Sequence, residues 1–156
     1  MKKIVLLCVM ALAFAFTGFS QEISKNAIGL RIGDSDGLGA EVSYQRGIGG
    51  NNRLEFDLGW RNSDDVDAFK LAALYQWVMP IDGGFNWYVG AGGGIGSFDA
   101  PGADGTFLFG AGDLGIEYNF DIPLLISLDM RPELSFNDDY SDDLDLDIAI
   151  GIRYQF

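Results

Sequence analysis

Large apolar residues recur at every second position of this sequence from residue 26 to its end. The pattern is clearest in residues 144–156, where the apolar positions are Leu144, Leu146, Ile148, Ile150, Ile152, Tyr154 and Phe156. The residues between them include no large apolar side chain. Because successive side chains of a strand point to opposite faces, a period of two predicts a β-strand with one apolar face.

Seven earlier segments repeat this pattern, so the sequence predicts eight strands. They are residues 26–34, 38–47, 53–62, 68–79, 85–96, 107–120 and 124–136, followed by 144–156. Their lengths of roughly 9–13 residues suit tilted strands that cross a bilayer. The backbone N–H and C=O groups of an open sheet edge find no hydrogen-bond partners in a bilayer, so a sheet that spans it must close. We therefore predict an all-β fold, a closed eight-stranded antiparallel up-and-down transmembrane β-barrel. Pro132, inside the seventh segment, is expected on a bulge at the outer interface.

The first residues predict a cleaved signal peptide that precedes the barrel. Lys2 and Lys3 lead into an apolar run that is too short to span a bilayer, and a small-x-small pair ends at Ser20. We therefore expect residues 1–20 to be the signal peptide and residues 21–156 to form the barrel domain.

The apolar face has features of a lipid-facing surface, although a soluble barrel or sandwich also has one apolar face per strand. Its aromatic residues gather near the strand ends, on both sides of an aliphatic band, as the girdles of membrane barrels do. The expected girdle includes Tyr44, Trp60, Tyr75, Trp77, Phe85, Trp87, Tyr118 and Phe120. Glycines on the opposite face would make room for long side chains inside a narrow barrel.

Charges of both signs lie on that opposite face, and we expect them to pair inside the barrel. The predicted network comprises Arg31, Glu41, Glu55, Asp57, Arg61, Lys70, Glu117, Asp129, Arg131, Glu133 and Arg153. Charges that are simply solvated are the alternative interpretation. The pairs Glu55–Asp57 and Asp145–Asp147 each share a face, so acid–base chemistry is the alternative to a space-filling role.

Several functional classes are excluded by composition. A net charge of −13 and a pI near 4.1 exclude a protein that binds nucleic acid by neutralising phosphates. The sequence has no His, and its single Cys, Cys8, lies in the predicted signal peptide, so a Ser–His triad and a Cys nucleophile are both excluded. The glycine-rich residues 90–96 lie within a strand pattern and do not form a phosphate loop. We predict a non-enzymatic protein without a cofactor.

The predicted outer loops carry eleven of the 23 acidic residues and no Lys or Arg. The fourth loop is the most acidic, with Asp138, Asp139, Asp142 and Asp143. Such a rim attracts divalent cations, so weakly bound Ca²⁺ that bridges to lipid phosphates is one hypothesis, and a solvated acidic surface is the other. The longest outer loop, residues 97–106, is expected to be too small for a large binding head.

Three segments carry a resemblance to a known family: the Tyr154-Gln155-Phe156 ending, residues 88–94 and residues 112–118. With them, the chain after residue 20 resembles the small eight-stranded outer-membrane β-barrel proteins of Gram-negative bacteria. The resemblance implies a monomer in the outer membrane, in contact with its lipids and lipopolysaccharide. It also implies that the barrel-assembly machinery reads Phe156, with Tyr154 in the supporting face.

The leading functional hypothesis is a non-enzymatic outer-membrane barrel with a polar lumen filled by side chains and an acidic extracellular rim. Its role would be structural or in surface interaction. A narrow cation-preferring pore is the first alternative, because eight strands leave an interior just wide enough for side chains. A soluble lipocalin-like ligand carrier is the second.

Overall fold

The computed structural model describes residues 23–33, 39–63, 66–136 and 144–156. Over these residues the chain is a closed barrel of eight strands, in which each strand pairs antiparallel with the next and the last pairs with the first. The strands are β1 (Asn26–Gly33), β2 (Ala40–Gly49), β3 (Asn52–Ser63), β4 (Val66–Asp82), β5 (Phe85–Ala100), β6 (Ala103–Asn119), β7 (Leu124–Ser135) and β8 (Leu144–Gln155). The predicted all-β barrel with up-and-down connections is confirmed. The predicted signal peptide lies outside the described residues.

The chain closes on itself at the end of the barrel that carries both of its described termini. Asn26 and Phe156 exchange two backbone hydrogen bonds there, of 3.1 and 2.9 Å. The turns between β2 and β3, β4 and β5, and β6 and β7 lie at this same end, which we call the termini end. The opposite end, which we call the hairpin end, carries the β5–β6 turn.

The expected loop over residues 97–106 is wrong, because β5 and β6 continue through most of it. Ala100 pairs with Ala103, which leaves only Pro101 and Gly102 as a two-residue turn. Proline suits the first central position of such a turn, and the second requires the positive φ that Gly102 adopts at 87°. The Pro-Gly pair therefore extends the hairpin beyond the sequence prediction.

Pro132 does not lie on the bulge that we expected. It pairs with Leu146 of β8 in an uninterrupted register. On its other side, β7 pairs with β6. Ala111 pairs with Glu133 and Leu114 pairs with Met130, but the residues between these two pairs do not pair with one another, and the register is the same on both sides of the gap. Because proline has no N–H group to donate, the strand loses ladder hydrogen bonds without gaining an extra residue.

The two faces of the barrel have opposite polarity. Outward-facing Leu114, Ile148 and Val89 are exposed, whereas inward-facing Arg31 and Arg153 are at most 1% exposed. Eighteen polar or charged residues are buried among the described residues, against nine hydrophobic ones. The barrel interior is therefore where the charged side chains meet. Among the described residues, no helix is both long and apolar enough to cross a membrane.

The barrel interior as candidate functional site

Three arginines form one continuous ion network in the interior. Arg31 of β1 contacts Glu41 at 3.0 Å and Asp129 at 2.5 Å, and it also pairs with Asp147. The Arg131 guanidinium shares Glu41 with Arg31, at 3.3 Å. Because these partners come from β1, β2, β7 and β8, the network ties together the strands that close the barrel.

The network continues from Arg131 toward the termini end. Arg131 contacts Glu55 at 3.4 Å and also pairs with Asp57. Glu55 in turn binds Arg153, at 3.1 Å. Every one of these side chains is buried, so each charge lies opposite a partner in a place that water does not reach.

A second polar cluster centres on Arg53, close to the termini end. Its Nη2 lies 2.7 Å from Glu117, its Nε donates to Gln76 at 2.5 Å, and its guanidinium stacks 4.8 Å from the ring centre of Tyr88. Gln76 donates onward to Asp113. Tyr88 is accommodated opposite Gly115, where an added Cβ would lie 2.3 Å from the Tyr88 ring.

The interior toward the hairpin end is not polar throughout, in contrast to the sequence expectation. Ala72, Leu74, Phe109 and Ala111 form a buried apolar cluster on β4 and β6, with Phe107 packed against it. Lys70 lies above Phe109, with its Nζ 5.0 Å from the ring centre, and reaches Glu133 of β7 at 2.5 Å. Phe107, Leu108 and Phe109 are all large and apolar. Alternation alone therefore does not show that the two phenylalanines face the interior.

The interior has more acidic than basic groups. The buried cations among the described residues are Arg31, Arg53, Lys70, Arg131 and Arg153. The buried carboxylates are Glu41, Glu55, Asp57, Asp113, Glu117, Asp129, Glu133 and Asp147. Eight carboxylates against five cations give the described interior a negative formal charge.

Ten of the eleven charges that the sequence placed in the interior network are buried there. The eleventh, Arg61, has a side chain outside the described residues. The prediction omitted Arg53, Asp113 and Asp147, although each lies at the inward-facing parity of its strand. Each lies an even number of positions before a charged residue that was predicted to face inward on the same strand, so the period of two indicates that it faces inward as well. These reference residues are Glu55 for Arg53, Glu117 for Asp113 and Arg153 for Asp147.

The predicted girdle residues all lie on the outward face, mainly near the termini end. Several rings touch one another, as in Tyr75–Trp77 at 4.8 Å and Phe85–Tyr118 at 4.6 Å between centres. Trp60 lies toward the hairpin end and is 60% exposed. Tyr154 and Phe156, the expected assembly signal, end the outward face of β8 with their rings stacked 6.2 Å apart.

The acidic rim is described only in part. Asp138, Asp139, Asp142 and Asp143 lie outside the described residues. Asp67, Asp99 and Asp104 lie side by side across β4, β5 and β6 at the hairpin end, and all three are exposed. Across the described part of the chain, no three acidic side chains are grouped closely enough to hold a metal ion.

Two buried serine hydroxyl groups of the interior accept hydrogen bonds from one arginine. Ser43 and Ser127 both accept hydrogen bonds from Arg153, at 2.9 and 2.8 Å. Glu55 and Asp57, the carboxylate pair considered for acid–base chemistry, both face Arg131. Because Arg131 engages both carboxylates in ion pairs inside the barrel, this arrangement favours a space-filling role.

No protein-family model and no curated protein matches the sequence. The N-terminal β-barrel domain of Pseudomonas aeruginosa OprF is 11% identical with a TM-score of 0.64, covering 84% of this chain and 95% of that one. Neisserial surface protein A is 14% identical with a TM-score of 0.61, covering 84% and 94%.

The Yersinia pestis attachment invasion locus protein Ail is a third structural neighbour. It is 18% identical with a TM-score of 0.56, covering 85% of this chain and 97% of that one. Each comparison covers at least 84% of this chain and at least 94% of the neighbour, so the likeness concerns the whole barrel. This chain has the fold of the small eight-stranded outer-membrane β-barrel proteins.

Proposed function

We propose that the protein is an integral outer-membrane β-barrel without enzymatic activity, whose interior is closed by its own side chains. Its role is in envelope structure or surface interaction. The observation that carries this proposal is the inverted polarity of the barrel, with apolar side chains outside and ion pairs inside. The names of two neighbours, a surface protein and an attachment invasion locus protein, support a role at the cell surface.

The outward surface is suited to lipid and not to water. Ile150 and Leu128, cross-strand partners near the middle of β8 and β7, are 51% and 50% exposed. Apolar side chains surround the barrel in this way on all eight strands. Monomers in water rarely expose apolar patches beyond a few hundred Å², so lipid tails are the solvent that this surface fits. The same argument disfavours a soluble lipocalin-like carrier.

The barrel would be oriented with its termini end toward the periplasm and its hairpin end outward. Aromatic residues near both ends would then lie at the two membrane interfaces. The partners are the outer-membrane lipids and lipopolysaccharide, with the barrel-assembly machinery acting on Tyr154 and Phe156 during insertion. We propose a monomer that binds no nucleic acid.

The exposed row Asp67, Asp99 and Asp104 would form part of an acidic extracellular rim. A solvated surface is its simplest role, and weak Ca²⁺ binding remains a hypothesis for the rim as a whole. The negative interior supports a second candidate function, a narrow cation-preferring pore. It is the weaker candidate, because the buried arginines and Lys70 each contact carboxylates across the interior.

Cell fractionation combined with a heat-modifiability gel tests the proposed location and fold. We expect the protein in the outer-membrane fraction, with a band that shifts when the sample is boiled, because a closed barrel resists detergent until it is heated. A protein in the soluble periplasmic fraction with no heat-dependent shift would contradict the proposal. Recording of the wild-type protein in planar bilayers separates a closed barrel, which is silent, from a pore, which conducts in stable steps.

A further inference from the structure

The interior wall formed by β4, β5 and β6 changes character along the barrel axis. Toward the termini end its cross-strand rows are polar, as in Gln76–Gly90–Asp113. Toward the hairpin end the row Ala72–Gly94–Phe109 is apolar, and the next row, Lys70–Gly96–Phe107, adds a second aromatic ring. The two rings are therefore neighbours on the inner face of β6, with their centres 6.1 Å apart.

Each ring lies over a glycine of β5. A Cβ added at Gly94 would lie 2.5 Å from the Phe109 ring, and one added at Gly96 would lie 2.2 Å from the Phe107 ring. No larger residue fits beneath either ring without a displacement. The glycines thus allow both rings to pack against the β5 backbone, which fixes their positions.

Lys70 extends this apolar surface across the barrel. It lies on β4, packs over the Phe109 ring and reaches Glu133 on β7, on the other side of β5 and β6. The two rings and the Lys70–Glu133 ion pair together span the interior from β4 to β7.

We infer that Phe107 and Phe109, with Lys70 bridged over them to Glu133, are the barrier that closes the hairpin end of the interior to water and ions. This inference rests on the proposed closed barrel. Apolar constrictions exclude ions because water does not fill them, whereas a polar network exchanges hydrogen bonds with entering water. The arginine network alone would not provide such an apolar barrier.

Opening the barrier would expose an acidic interior. Eight buried carboxylates face five buried cations in the described part of the chain. Anions would be repelled from this path and cations attracted. A barrel opened at this point should therefore pass K⁺ in preference to Cl⁻.

Planar-bilayer recording of the double variant Phe107→Ala/Phe109→Ala tests the inference. We expect stepwise currents that are absent from the wild-type protein, with a reversal potential in a KCl gradient on the cation-selective side. The matched control is Phe69→Ala/Phe85→Ala, which removes two exposed outward-facing rings and should remain silent. If the double variant does not refold, Phe107→Ala alone serves, because its ring is only partly buried.

Thiol labelling gives a second readout that does not depend on conductance. In a Cys8→Ser background, Ala111→Cys introduces a thiol beside Phe109 in the buried cluster. A charged, membrane-impermeant thiol reagent should leave it unlabelled while both phenylalanines are present and label it once both are alanine. Cysteine at the exposed Asp104 should be labelled in both cases.

The two proposals fail in different ways. Stable steps from the wild-type protein would contradict the closed barrel itself. A silent wild-type protein together with a folded, heat-modifiable double variant that is also silent and protects residue 111 would overturn the barrier and leave the closed barrel standing.

Discussion

Arg131 contacts three carboxylates from two other strands, and no other described side chain of β7 joins so many charges. Glu41 lies at 3.3 Å and Glu55 at 3.4 Å, and Asp57 also pairs with it. All four side chains are buried. In such a place a charge is tolerated only with its partners. Losing the guanidinium group leaves Asp57 without the cation it pairs with, and it removes the second of two cations from Glu41 and from Glu55.

We predict that Arg131→Met lowers the free energy of unfolding by about 3–5 kcal/mol, the usual cost of removing one partner from a buried charge network. Urea titration of the refolded protein in lipid vesicles, followed by the fluorescence of its three tryptophans, measures this change. The control is Arg46→Met, because Arg46 is exposed and donates one hydrogen bond, to Asn26. The control should change stability by no more than about 0.5 kcal/mol. Similar losses in the two variants would contradict a special role for the interior network.

At the scale of the strands, alternation predicted the existence of all eight but not where they end. A strand ends where pairing ends, and pairing depends on the neighbour as much as on the strand's own residues. The Pro101-Gly102 turn let β5 and β6 pair through residues predicted as loop. Alternation likewise left Phe107 and Phe109 unplaced, because only their pairing with Gly96 and Gly94 shows that these rings belong inside.

The glycines of β5 give a prediction for this element. Gly94→Val should destabilise the barrel by about 1–3 kcal/mol, because the new side chain would overlap the Phe109 ring and the backbone of β4. Gly110→Val is the matched control on the outward face of β6, where the nearest atom is the end of the exposed Phe136 ring, at 3.1 Å. Since valine favours strands, the control should be neutral or stabilising. The midpoints of urea unfolding in lipid vesicles compare the two variants. Equal destabilisation would mean that the close approach of the Phe109 ring and the β4 backbone does not require glycine at position 94.

At the scale of the whole molecule, sequence patterning predicted the face of most interior charges, but it predicted neither their pairing nor the apolar cluster toward the hairpin end. Ten of eleven predicted charges are buried inside, because the period of two fixes a side chain's face once a strand is recognised. The pairing of charged side chains across the interior depends on the relative stagger of strands that are not neighbours. Lys70 of β4 and Glu133 of β7 are three strands apart, and nothing local to either residue indicates that they meet.

The assignment of the outer surface to lipid yields a prediction that depends on depth. Ile150→Arg places a charge near the middle of β8 and should cost about 2–4 kcal/mol of stability in vesicles, whereas a charge near the interface costs about 0–1 kcal/mol. Ile122→Arg is the control, because Ile122 is 61% exposed in the turn before β7 at the termini end. Reversible urea unfolding of both variants in the same vesicles measures the difference. In water, either arginine would be solvated at little cost, since both isoleucines are already exposed, so small and equal effects would mean that the apolar face does not meet lipid tails.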